Sequence, residues 1–354
     1  MRLKDIQASS VPAKHSGECI ETLRREEDGP HVPQTPEYYE WWYFDGHFDN
    51  GYSVVIVFHR AVAFLPSRLP ALEITLMAPD GAEHRALRLL SASEFQIAPD
   101  RADITIGECS VVDGGSSYEV RAWADTAEGL RIGADLVLEG LLPGWKFGQS
   151  KTIVAGLDGF GWVVPLPRAR CHGTLRVGEQ SIPASGVGYH DHNWGQVSLS
   201  KLVAYWHWGR IYAGEVTCLY ADVVGRYRRP DVPTGLLMLA LGDKIIFNTS
   251  LVRIEEGELA FHPKAQRTYA RRLALRSEMD GAPIEVNLES RQVTSAFDFL
   301  ASVHPIRKWL VNTFVTRPAY LRHRSDVRLR FTYQGHAYDL KGETINEDMY
   351  LRRR

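Results

Sequence analysis

The run Tyr189-His190-Asp191-His192-Asn193-Trp194-Gly195 gathers the most reactive side-chain types of the chain into one short stretch. Two imidazoles bracket one carboxyl group, with a phenol before them and an amide after. In an extended chain successive side chains point to opposite sides. Tyr189, Asp191 and Asn193 then share one face, and His190, His192 and Trp194 share the other. A carboxyl group in an apolar pocket keeps its proton to higher pH and can serve as a general acid near neutrality. Asn193 is spaced to orient Asp191. The plainer reading is that Asn193-Trp194-Gly195 simply turns the chain, because Asn and Gly are turn formers.

Other chemistries have weaker support. His190-x-His192 puts two imidazoles on one strand face, and a metal site would need a third ligand, for which His207, His59 or Glu215 are available. Nothing fixes that choice, and isolated pairs of this kind are more often metal-free, so no metal is expected. No GxSxG elbow occurs, and none of the four cysteines (Cys19, Cys109, Cys171, Cys218) forms a CxxC pair. No phosphate-binding or dinucleotide glycine pattern follows a strand-like run, and no cofactor is expected.

Aromatic residues form the second signal. Trp41-Trp42-Tyr43-Phe44 and Tyr205-Trp206-His207-Trp208 each lead through a glycine-containing turn into an apolar strand, as a duplicated β unit would. Large rings mostly fill cores. Alternation nevertheless sends part of each quartet the other way, where ring faces could line a cavity and stabilise positive charge. Trp42, Trp194, Tyr205, Trp206 and Trp208 are the candidates for such a wall.

These residues must be held by a β framework. Strand texture repeats at Tyr52 to Phe58, Glu73 to Met77, Tyr118 to Ala124, Ile132 to Leu138, Gly161 to Val164 and Cys171 to Val177. Turn signals such as Asp49-Asn50-Gly51 and Asp113-Gly114-Gly115 separate them. The second half repeats the texture from Ala204 to Leu340, interrupted by one helix expected over Pro305 to Thr316, where Ile306, Leu310 and Phe314 recur at helical spacing. Residues 1–35 read as a polar lead. The expected division is 36–190 and 191–354. The fold class is all-β, with many short antiparallel strands. Lys and Arg total 41 against 43 Asp and Glu, so there is no net field to recruit nucleic acid. No apolar run is long enough to span a membrane and no signal peptide opens the chain, which makes a cytosolic protein the expectation. Oligomeric state is left open.

Glu40-Trp41-Trp42-Tyr43-Phe44-Asp45-Gly46, Gly188 to Gly195, Arg324-Ser325-Asp326 and Glu347-Asp348-Met349-Tyr350 together resemble the AttH-like and carotenoid hydratase family, over roughly residues 35 to 351. The resemblance implies two tandem lipocalin-like barrels with a ligand cavity in or between them. It implies cofactor-independent chemistry on a hydrophobic small molecule. Relatives hydrate a terminal isoprenoid double bond or close rings by intramolecular [4+2] cycloaddition. The carotenoid hydratases share Asp191, Asn193, Trp194 and Gly195 but carry other residues at 190 and 192, so the histidine-bracketed form looks nearer the AttH-like and cycloaddition branches. Cyclisation of a lipophilic polyene is therefore the first expectation. Hydration and non-catalytic carriage of a hydrophobic ligand are the alternatives. Asp191 is the leading candidate for acid or hydrogen-bond donor, followed by Tyr189, His190, His192 and Asn193.

Overall fold

The computed structural model describes residues 20–63, 68–147, 160–226, 234–298 and 318–351. Among these the chain is nearly all β. The first half holds β1 (Glu21–Thr22), β2 (Tyr39–Phe48), β3 (Ser53–Ala61), β4 (Ala71–Met77), β5 (Glu83–Leu89), β6 (Gln96–Ile97), β7 (Ile104–Ile106), β8 (Cys109–Asp113), β9 (Ser117–Asp125), β10 (Arg131–Gly140), β11 (Trp145–Lys146), β12 (Phe160–Val177) and β13 (Gln180–Gly195). The second half holds β14 (Val203–Ala213), β15 (Val216–Gly225), β16 (Gly235–Leu241), β17 (Lys244–His262), β18 (Arg267–Met279), β19 (Ala282–Asp298), β20 (Ala319–Tyr333) and β21 (His336–Tyr350). A 3-10 turn covers Arg25–Asp28, and the short helix α1 (Leu199–Leu202) links the halves.

The first sheet runs β5-β4-β3-β2-β13-β12-β10-β9-β8-β7-β6, and it curls until β4 and β5 pack across from β9 and β10. Strands β14 to β21 close into an eight-stranded barrel in chain order. The architecture is thus two tandem lipocalin-like barrels. Among the described residues no helix is long and apolar enough to cross a membrane.

Burial follows the sequence pattern. In β9, Tyr118, Val120, Ala122 and Ala124 are buried while Glu119 and Arg121 are exposed, the alternation of a strand with one wet face. In β15 every residue is buried. Its inner side chains fill the second barrel, and its outer ones pack against the first sheet. Among the described residues four apolar clusters result: one inside the first barrel around Trp42, Phe44 and Phe58, one inside the second around Tyr220 and Leu329, one between them containing Trp162, Tyr189, Trp208 and Met238, and a small one around Leu321 and Tyr350. A buried ion pair bolts the halves together. Arg210 on β14 meets Asp45 on β2 through two contacts of 2.6 Å.

Several expectations need correction. Gly161 to Val164 and Cys171 to Val177 are one strand, β12. Pro165 and Pro167 sit at its two register shifts, where a missing N–H is tolerated, and they made it read as two. The boundary expected between residues 190 and 191 falls inside β13, which pairs with β2 as far as Gly195, and the crossing to the barrel lies at residues 196–202. The described part of the polar lead is built into the fold: β1 pairs with β11, and Asp28 is buried. The helix expected at Pro305 to Thr316 lies outside the described residues.

Candidate active site

Strand β13 lies between β2 and β12, so its two faces look in opposite directions. Asp191, Asn193 and Tyr189 point outward from the first barrel, toward the second. His190 and His192 point into the first barrel. The same split applies to β2: Trp41, Tyr43 and Asp45 face outward, and Trp42 and Phe44 face inward. On β14, Trp206, Trp208 and Arg210 face the first sheet, while Tyr205 and His207 lie inside the second barrel. The outward faces meet, and between them lies a cavity of about 90 Å³ lined by Trp41, Tyr43, Trp162, Asp191, Trp206 and Glu347, among others. A larger cavity of about 230 Å³ shares Trp41, Tyr43, Trp206 and Glu347 with it and continues across β3, β4 and β5. Together they form a trough between the barrels.

Asp191 is 7 % exposed and held on every side. Trp162 Nε1–H donates to its Oδ2 at 3.0 Å, the Tyr189 hydroxyl donates to the same oxygen at 2.9 Å, and Asn193 Nδ2–H donates to Oδ1 at 2.8 Å. Burial pushes the carboxyl up to about 6, against the opposing pull of the Trp162 and Tyr189 hydrogen bonds. Asp191 therefore exchanges its proton near neutrality while its geometry stays fixed. Glu347 on β21 is a second carboxyl in the same space. Burial raises it too, partly offset by Arg322, whose Nε lies 3.6 Å away. The Tyr43 hydroxyl donates to Asp45 at 2.9 Å and lies 3.5 Å from Glu347.

Of the residues singled out in the sequence, Asp191, Asn193, Trp206 and Trp208 line the cavity. Tyr189 supports Asp191 from below and packs edge-on against Tyr43. The others do not reach it. His190 and His192 are fully buried within the first barrel, where both approach Asp28: His190 Nε2 at 3.1 Å and His192 Nδ1 at 3.4 Å. His192 Nε2 lies 3.1 Å from Glu40, and Trp42 stacks on His192 at 4.4 Å while its Nε1–H donates to the Asp28 carbonyl. Trp194 stacks on His31 at 3.8 Å, over Gly161, where any Cβ would sit 2.1 Å from the indole. Tyr205 packs against Tyr350 and His207. Strand alternation explains every case: a side chain one position away from a cavity residue belongs to the opposite face.

The histidines form a polar pillar. Burial alone would depress His192, yet its hydrogen bonds to Asp28 and Glu40 hold it at about 9. Asp28 is held well below the usual carboxylate range by His190 and His192 despite its burial. His31, Glu40 and His192 bring ligand-type atoms within 4.8 Å of one another, a spacing a cation could bridge, but these atoms already hydrogen-bond one another. His207, His59 and Glu215, the third ligands considered from sequence, are not part of this group. The second barrel holds a parallel arrangement in which Asp348 joins His207 at 2.6 Å and His323 at 3.1 Å. In each barrel one carboxylate bridges two imidazoles, in keeping with a duplicated unit.

Sequence reasoning missed Trp41, Tyr43, Trp162, Arg322 and Glu347. For Trp41 and Tyr43 a signal existed in the aromatic quartet, where they alternate with Trp42 and Phe44; in the fold Tyr43 pairs with Asp191 and Trp41 with Asn193. Glu347 was quoted only as part of a terminal motif, and nothing local tied it to Asp191.

No protein-family model matches the chain. A curated relative from Chlorobaculum tepidum, named hydroxyneurosporene dehydrogenase, is 27 % identical over 303 residues, covering 75 % of this chain and 77 % of that protein. Three solved structures superpose over nearly the whole length. A protein of Nitrosomonas europaea described as AttH gives a TM-score of 0.63 at 17 % identity, covering 98 % of this chain and 100 % of the other. The chain shares the AttH fold. CghA in complex with Sch210972 gives 0.60 at 14 % identity over 92 % and 94 % of the two chains. Kievitone hydratase from Nectria haematococca gives 0.60 at 12 % identity over 96 % of each.

Proposed function

We propose that this protein is an acid–base enzyme acting on a lipophilic, unsaturated small molecule, and that it adds water across a carbon–carbon double bond. The observation that carries this reading is the Asp191 carboxyl: buried, triply hydrogen-bonded, lifted to about 6, and facing an aromatic-lined cavity. A carboxylic acid poised near the working pH is suited to deliver a proton. In the proposed step the Asp191 proton forms a bond to one alkene carbon, and the π electron pair is consumed in that bond. The positive charge left on the other carbon lies against the faces of Trp41, Trp206 and Trp208, which attract cations. Water attacks that carbon, and Glu347, ionised at this stage, takes the released proton. Exchange with solvent then restores both carboxyl groups. Arg322 and the Tyr320 hydroxyl hold Glu347 in place. No nucleotide, flavin or metal enters this scheme.

The two raised carboxyl groups in one trough favour hydration over a reaction that needs only one acid. Likeness in fold to a kievitone hydratase agrees with that choice. Ring closure is the second reading. It is favoured by the dense indole lining, which leaves little room for water when the substrate supplies its own nucleophile. Incubation with a panel of isoprenoid and polyketide polyenes in H₂¹⁸O separates the two. Hydration gives a product heavier by one labelled water, and cyclisation gives an isomer without label. An Asp191→Asn variant that turns over any of these substrates at the wild-type rate would end the acid assignment.

A further inference from the structure

His59 lines the outer cavity and is 9 % exposed. Its Nδ1 finds no hydrogen-bond partner among the described residues, and its Nε2 lies 3.5 Å from Glu73 Oε2, at the outer limit of a hydrogen bond. Buried polar groups are nearly always paired, so an imidazole left in this state invites a ligand. Glu73 is itself engaged by Arg85 at 2.6 Å. This ion pair neutralises the surroundings of His59 and leaves no excess charge to attract an ion.

The register fixes where His59 stands relative to Asp191. Asp191 pairs with Tyr43 and Tyr43 with Val57, while Trp41 pairs with His59. All lie on the outward face. Two strand spacings across and two residues along place the two backbone positions about 12 Å apart. Trp41, with its ring centre 6.4 Å from that of His59, lies between the two polar points.

Building on the acid reading of Asp191, we infer that His59 is a specificity-determining residue of the same trough, and that the substrate carries a neutral hydrogen-bonding group, a hydroxyl or carbonyl, roughly 12 Å from the double bond that Asp191 protonates. The substrate is then an elongated amphiphile, oil along its length and polar at the end near His59. A pure hydrocarbon would leave the imidazole Nδ1 without a partner and bind less well.

Farnesol and its 1-deoxy hydrocarbon are suitable probes, since they differ only in the terminal hydroxyl. Binding is followed by quenching of tryptophan fluorescence. The wild type is expected to bind the alcohol about 10-fold more tightly than the hydrocarbon, the scale of one buried hydrogen bond. His59→Phe, which keeps a flat ring, should bind both equally, with the hydrocarbon held no more weakly than by the wild type. His59→Gln should restore part of the preference. Asp191→Asn should keep the full preference, so a failure of the acid assignment shows in turnover and a failure of the His59 assignment shows in this ratio. Retention of the preference in His59→Phe, or no preference or no binding in the wild type, would overturn the inference.

Discussion

Replacing Asp191 with Asn should stabilise the protein at neutral pH while removing its activity. A carboxyl group lifted from 3.8 to about 6 carries a penalty of ~3 kcal/mol when both states are ionised. Below about pH 3.8 both folded and unfolded chains hold the proton, and the group costs nothing. Between 3.8 and about 6 the unfolded chain releases the proton and the folded one keeps it, so stability falls as pH rises. Above that window the full penalty is present. Asparagine is neutral throughout. Its oxygen can accept from Trp162 and Tyr189, and the Asn193 amide can turn to present its own oxygen. Urea denaturation of both proteins from pH 4 to pH 8 is the assay. The difference between variant and wild type should grow by ~3 kcal/mol in favour of the variant across that range, with all other titrating groups cancelling. A difference that stays flat with pH, or that turns against the variant at pH 8, would refute the claim that Asp191 is held protonated by its surroundings.

Trp162→Phe removes a hydrogen bond that favours the ionised carboxyl, so the alkaline limb of the rate profile should move to higher pH; a profile that stays in place or moves down would contradict it. Asp45→Ala leaves Arg210 buried without its bidentate partner and should cost about 3–5 kcal/mol in denaturant melts, with the double variant Asp45→Ala, Arg210→Met recovering much of the loss. His192, held at about 9, contributes stability that is fully present below pH 6.5 and is lost as pH rises through about 9. His192→Phe should therefore be less stable than wild type, by a margin that shrinks between those pH values. Glu347→Gln should lower the hydration rate and, by removing a like charge that helps raise Asp191, move the alkaline limb to lower pH, as measured by labelled-water incorporation across pH.

The sequence made the β framework readable because alternation and turn residues recur along the chain, as in β9 and β4, and because β3 is a continuous β-branched and aromatic run. It failed where another rule intervened. Pro165 and Pro167 broke the reading of β12, and the polar edge strand β5 (Glu83–Leu89) has no apolar alternation to announce it. The site was legible in part. The reactive run was found, and alternation already separated Asp191 from its two histidines. Ranking all five polar residues together as candidates merges the two faces, and Trp42 faces inward where its neighbour Trp41 faces the trough. The remaining members required tertiary pairing. Glu347 lies far along the chain from Asp191, and only the packing of the outer faces of the two barrels brings them together. Asp28 looked like part of a solvated lead because its partners, His190 and His192, lie more than 160 residues away.

The most direct measurement is the titration of the Asp191 carboxyl carbon by ¹³C NMR in uniformly labelled protein, assigned by its disappearance in Asp191→Asn. An inflection near pH 6 is the expected result, shifting when a lipophilic ligand fills the trough. An inflection at or below 3.8, unmoved by ligand, would mean that the group is an ordinary ionised carboxylate and would contradict the proposed proton transfer.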